Sequence, residues 1–145
     1  MKKIILIAFL IVTTTTIFAQ PPHKRQENLE QIKAQKVAFI TEKLSLTSQE
    51  AQVFWPVYNE YEKKRDEIQS KKRLLMRKCK QNSETLSDAE YEKISQEFVA
   101  AHVNMGKLLE EYNAKFKKVL PIKKVVMLYR IEQEFKRELL KQIGE

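Results

Sequence analysis

Glycine is almost missing from this chain: 145 residues hold only Gly106 and Gly144. Glycine-rich phosphate loops and Rossmann turns need several glycines close together and are excluded. Asn-Gly and Asp-Gly pairs are absent, which argues against tight β-hairpins. There is one cysteine, Cys79, so no internal disulfide can form. That leaves an intermolecular bond or a buried, reduced thiol. Histidine is almost as scarce, with only His23 and His102. Hydrolytic catalysis needs a nucleophile, a base and an orienting group. Neither histidine has such company in sequence, so no enzyme, no catalytic residue and no cofactor is expected. A hairpin turning near residue 84 would hold Cys79 and His102 roughly 21 Å apart at the helical rise. No metal site is therefore expected either.

What is present begins with an export pattern. Met1-Lys2-Lys3 is basic, Ile4 to Val12 is apolar without a break, and Ile17-Phe18-Ala19 can be cleaved before Gln20. That is the layout of a secretory signal peptide. The run is shorter than the ~20 apolar residues of a membrane span, and no cysteine follows to carry a lipid. Residues 1–19 are thus expected to be removed and the protein to work outside the cytoplasm. The net charge falls from +8 to +6 with the loss of Lys2 and Lys3. Basic proteins often bind nucleic acid, but an exported one rarely meets any.

The remaining 126 residues make one domain by length. Residues 20–26 carry two prolines and read as a disordered leader; 27–145 read as a single all-helical domain. Lys, Glu, Gln, Leu and Ala dominate, and all favour helix. Leu29, Ile32, Val37, Phe39, Ile40 and Leu44 line one side of a first helix, 27–44. Thr47 and Glu50 form a capping box that opens a second, 48–80. Its apolar seam repeats every seven residues through Phe54, Tyr61, Ile68 and Leu75, joined by Tyr58, Arg65, Lys72 and Cys79. Pro56 is expected to kink this helix. Ser87 and Glu90 form a second capping box. Tyr91, Ile94, Phe98, Ala101, Met105, Leu108 and Tyr112 then alternate spacings of three and four, a coiled-coil-like seam. Pro121 ends that helix and opens a fourth, carried by Val125, Leu128, Ile131, Phe135 and Leu139. Nothing alternates with a period of two, so no strand is expected. Short links make neighbours antiparallel. The expected fold is all-α, four helices dominated by a long antiparallel hairpin. So thin a hairpin buries little surface alone, and a homodimer is expected.

Charge is divided between the arms. Lys63 to Lys80 holds nine Lys or Arg against Asp66 and Glu67, a net +7. Gln81 to Tyr112 holds seven acids against Lys93 and Lys107, a net −5. The arms can neutralise each other and suit the helix dipoles. A mixed apolar and basic surface can instead attract acidic or partly unfolded polypeptide.

These features resemble the Spy/CpxP family of periplasmic chaperones, named for a repeated LTxxQ motif. Leu46 and Thr47 match its opening in Leu46-Thr47-Ser48-Gln49-Glu50; the fifth position is glutamate. Val119-Leu120-Pro121-Ile122-Lys123 keeps only the proline often found in the second copy. Glu132, Phe135, Arg137, Glu138, Leu139 and Leu140 are similar to the family's closing E-x-x-F-x-R-E-L-L. The resemblance implies a cradle-like antiparallel dimer that holds unfolded or aggregation-prone envelope proteins without ATP. Some relatives instead report envelope stress to a membrane kinase, so the alternative that the resemblance implies is an envelope-stress adaptor that binds a membrane sensor. The expected client contacts are Arg65, Lys72, Arg73, Arg77 and Lys78 for charge, with Leu74 and Met76 as apolar partners. Leu46, Thr47, Glu132, Phe135, Arg137 and Leu139 are expected to be structural. Packing in a dimer remains an equal reading for Leu74 and Met76.

Overall fold

The computed structural model describes residues 22–144. The expected signal peptide, its cleavage site and residues 20–21 lie outside them. Four helices and no strand occur among the described residues: α1 Pro22–Lys43, α2 Ser48–Gln81, α3 Asp88–Val119 and α4 Ile122–Gly144. The fold is all-α. By internal contacts the described chain falls into two units, 22–34 and 35–144. The first is the N-terminal stretch of α1, with Gln26 bonded to Glu30 one turn on. The expected disordered leader is corrected here, because α1 begins at Pro22. A proline in a first turn lacks only an N–H that would have no partner anyway, and Lys24, Arg25, Gln26 and Glu27 continue the helix.

The helix ends follow from local chemistry. Thr47 and Ser87 cap α2 and α3, each with a full capping box to Glu50 and Glu90. Leu120 is extended, as a residue before proline prefers, and α4 begins directly after Pro121. α2 runs unbroken through Pro56. The end of α1 is a Schellman turn. The Leu46 N–H donates to the Thr41 carbonyl and that of Ser45 to Glu42. Ser45 takes a positive φ of 48°, a position that glycine usually fills. Leu46 leaves the turn packed against the core.

Within 35–144 the core is concentrated at one end of the α2–α3 hairpin. Ile40 and Leu44 of α1 meet Phe54, Tyr58 and Tyr61 of α2, and Leu108, Tyr112 and Phe116 of α3. Leu120, Val125, Leu128 and Ile131 complete it. Phe116 stacks with Phe54, Tyr58, Tyr61 and Tyr112 at centroid separations of 5.7–6.2 Å, the range of favourable tilted and edge-on pairs. The other end of the hairpin is two helices only. Of the apolar residues between Glu62 and Lys107, Ile94 alone is buried. The same seam that is dry from Leu108 to Phe116 is half wetted at Phe98, Ala101 and Met105.

Candidate functional site: an open groove on the hairpin

The thin half of the hairpin carries a groove of about 470 Å³ between α2 and α3. Ile68 and Met76 from α2 face Ala101 and Met105 from α3 along its floor. Gln69, Lys72, Arg73 and His102 supply the polar lining, and no acid contributes. The groove follows from the sequence pattern. Ile68, Lys72 and Met76 recur every four residues, one turn apart on the same face of α2. Ala101 is small where the seam elsewhere carries Phe98, Met105 and Leu108, so the two arms leave space at its level.

Lys72 stands at the groove wall. Its Nζ lies 3.0 Å from His102 Nε2 and 4.7 Å from the Phe98 ring centroid. His102 Nδ1 lies 2.9 Å from the Phe98 carbonyl, and its ring packs on Phe98 at 4.5 Å. A carbonyl only accepts, so Nδ1 carries the proton and Nε2 accepts from Lys72. Arg73 donates to Ser70 Oγ at 2.7 Å. Among the described residues neither Lys72 nor Arg73 has a carboxylate within ion-pair distance. Lys36, Lys43, Lys64, Arg65, Lys78, Lys115 and Lys124, by contrast, all pair with acids.

The expected client contacts separate into two groups. Lys72, Arg73 and Met76 come together in the groove. Leu74 is 60 % exposed on a different face of α2, with Lys71, Arg77 and Lys78 one turn away in sequence. Lys78 reaches Glu90 across the hairpin at 3.5 Å. Arg65 belongs to neither group. It is half-buried, pairs with Glu62 on its own helix, and donates to Glu132 of α4 at 3.1 Å. The neighbouring charges of Glu62 and Glu132 outweigh burial and hold its proton more firmly than usual. Tyr58 donates to the same Glu132 oxygen at 2.7 Å, and burial, then the Glu132 charge, raises its phenol far above the ordinary range. Lys36 of α1 closes the network on Glu62.

The expected structural residues also spread out. Phe135 packs on Phe39 of α1 at 5.5 Å, Leu139 is half-buried, and Arg137 is exposed. Lys124 ties α4 to the α1–α2 joint through Ser45 O at 2.9 Å and Glu50 at 2.6 Å. Lys124 drew no notice in sequence, because its partners lie 74 and 79 residues away. His102 and Gln69 were likewise missed as groove residues. Cys79 is half-buried. Among the described residues no three His, Cys, Asp or Glu cluster for a metal, and no helix is long and apolar enough to cross a membrane. No family model, no curated protein and no solved structure matches this chain.

Proposed function

We propose that this protein is an exported, ATP-independent chaperone of the holdase type, working as a homodimer in the periplasm and related to the Spy/CpxP proteins. The observation that carries this reading is the polarised core. One end of the hairpin is packed by four helices, while the other leaves apolar residues beside Lys72 and Arg73, which no acid among the described residues neutralises. Such a surface suits polypeptides that expose acidic and apolar groups together. The LTxxQ-like opening at Leu46-Thr47 and the closing run from Glu132 to Leu140 support the same reading, as does the export pattern of residues 1–19. Capture is reversible: cations at Arg73, Arg77 and Lys78 speed encounter, and Leu74 and Met76 add apolar contact. Arg65 plays no part in it, being committed to Glu62 and Glu132.

The test is suppression of aggregation for several unrelated unfolded proteins, with association rates measured against salt. Reversing Arg73, Arg77 and Lys78 to glutamate slows association and leaves helicity intact. Raised salt has the same effect, since exposed charges are screened beyond ~8–10 Å. One tight partner and no general suppression would sink the holdase reading and favour the sensor-binding adaptor. Sedimentation at micromolar concentration gives twice the monomer mass; a monomer there removes the dimer from the proposal.

A further inference from the structure

We propose that the groove between α2 and α3 is a binding site for a single-chain amphiphilic carboxylate, of the fatty-acid type. The inference goes beyond polypeptide capture and does not depend on it. Three observations carry it.

The first is charge. Lys72 and Arg73 line the groove without a carboxylate partner among the described residues, and no acid lines it. Lys72 has three N–H donors and gives one to His102. Arg73 has five and gives one to Ser70. Both keep donors for an incoming carboxylate, which can also take the guanidinium fork in bidentate fashion.

The second is shape. Ile68, Met76, Ala101 and Met105 give the same groove its apolar lining. From residue 68 to 76 the groove follows α2 for about 12 Å at the helical rise. Its volume of about 470 Å³ falls in the ordinary range of small-molecule pockets, ~300–1,000 Å³. The two methionines are flexible and fit their thioethers to a chain of any contour.

The third separates this ligand from a peptide main chain. Both walls are helices whose backbone groups already bond within themselves. An extended peptide laid on the floor would bring N–H and C=O groups into an apolar trough with few partners. Each such group turned to the floor gives up its bond to water without a replacement. An acyl chain carries no such groups. A polypeptide client can insert side chains here, but the floor is chemically suited to hydrocarbon.

The probe is dodecanoate, kept below micelle formation, titrated into protein with isotopically labelled methionine methyls. One-to-one saturable binding is expected, with shifts concentrated in Met76 and Met105. Dodecanol, with the same chain and no charge, binds at least tenfold more weakly, as does dodecanoate to the Lys72→Gln, Arg73→Gln double variant. Ala101→Trp fills the trough and abolishes binding, with helicity checked by circular dichroism; the wild-type methyl shifts test the site without any substitution. Equal binding of dodecanol, unmoved Met76 and Met105 signals, or non-saturable partition overturns the proposal. So does an acidic-apolar peptide that displaces dodecanoate and binds more tightly, which assigns the groove to polypeptide. Failure of dodecanoate to bind where the protein sediments as a dimer overturns it too, and leaves the groove to a second copy.

Discussion

Glu132 of α4 accepts from Tyr58 of α2 at 2.7 Å, and the same carboxylate oxygen accepts from Arg65 at 3.1 Å. This one acid therefore holds two polar groups of α2, the hydroxyl of the buried Tyr58 and the guanidinium of the half-buried Arg65. Removing it strands the Tyr58 hydroxyl and leaves Arg65 with Glu62 alone. Glu132→Ala is expected to cost about 2–3 kcal/mol, the scale of hydrogen bonds to charged groups plus the unmet remainder. Glu132→Gln keeps an acceptor for Tyr58 and costs less. Urea unfolding midpoints rank the three proteins, and equal midpoints would show that the network is idle.

The packed end of the hairpin should respond to truncation and the thin end should not. Phe116 is fully buried among four aromatic rings. Phe116→Ala is expected to lose about 3–5 kcal/mol, a large share of the roughly 5–15 kcal/mol that keeps an ordinary domain folded. Met76→Ala, on the open groove, is expected within about 0.5 kcal/mol of wild type. A large loss at Met76 would mean that its face is buried in solution.

Ser45 holds φ at 48° where a Cβ is unwelcome. Ser45→Gly removes that strain and keeps both Schellman hydrogen bonds, which use backbone atoms only. A gain of about 1 kcal/mol is expected from the left-handed penalty, reduced by the extra freedom of glycine in the unfolded chain. A lower thermal midpoint would contradict the turn geometry.

The two capping boxes are chemically alike but should differ in effect. Thr47→Ala sits beside the core and is expected to lower global stability by about 1 kcal/mol. Ser87→Ala sits at the thin end, where local opening needs no core disruption. Its cost should appear as faster amide exchange over 88–95, with a smaller change in the global midpoint. Identical global losses would mean that the hairpin unfolds as one unit down to its tip.

Acid should loosen both ends through the same kind of group. The Lys124 hydrogen bond, helped by the Thr47 backbone, holds the Glu50 carboxyl below its usual range. Lys43 does this for Glu134, and the Ser87 backbone for Glu90. A carboxylate that is more acidic in the folded state stabilises above its unfolded value, ~4.3. That stabilisation fades as pH falls through the lower folded value. Thermal midpoints should therefore drop below about pH 4.5, and Glu50→Gln should flatten the acid limb. An unchanged limb would show that Glu50 takes no part.

The helix plan was legible in the sequence because its causes are local. Thr47 with Glu50, Ser87 with Glu90, and Leu120 before Pro121 each set a boundary through atoms a few residues apart. The heptad spacing of Phe54, Tyr61 and Ile68 named the buried face of α2 for the same reason. Local reasoning failed at Pro22, where two prolines suggested a leader although a first helical turn tolerates one. The candidate site was only partly legible. Arg65 and Lys72 share one seam seven residues apart and look equivalent in sequence. Only the tertiary structure separates them, because Glu132 arrives from α4 beside Arg65 and no acid among the described residues arrives beside Lys72. Sequence determined which residues face inward along each arm. Where those faces stay dry depended on which part of the hairpin Ile40, Leu44 and α4 cover, a matter of contacts across many tens of residues that no local pattern encodes.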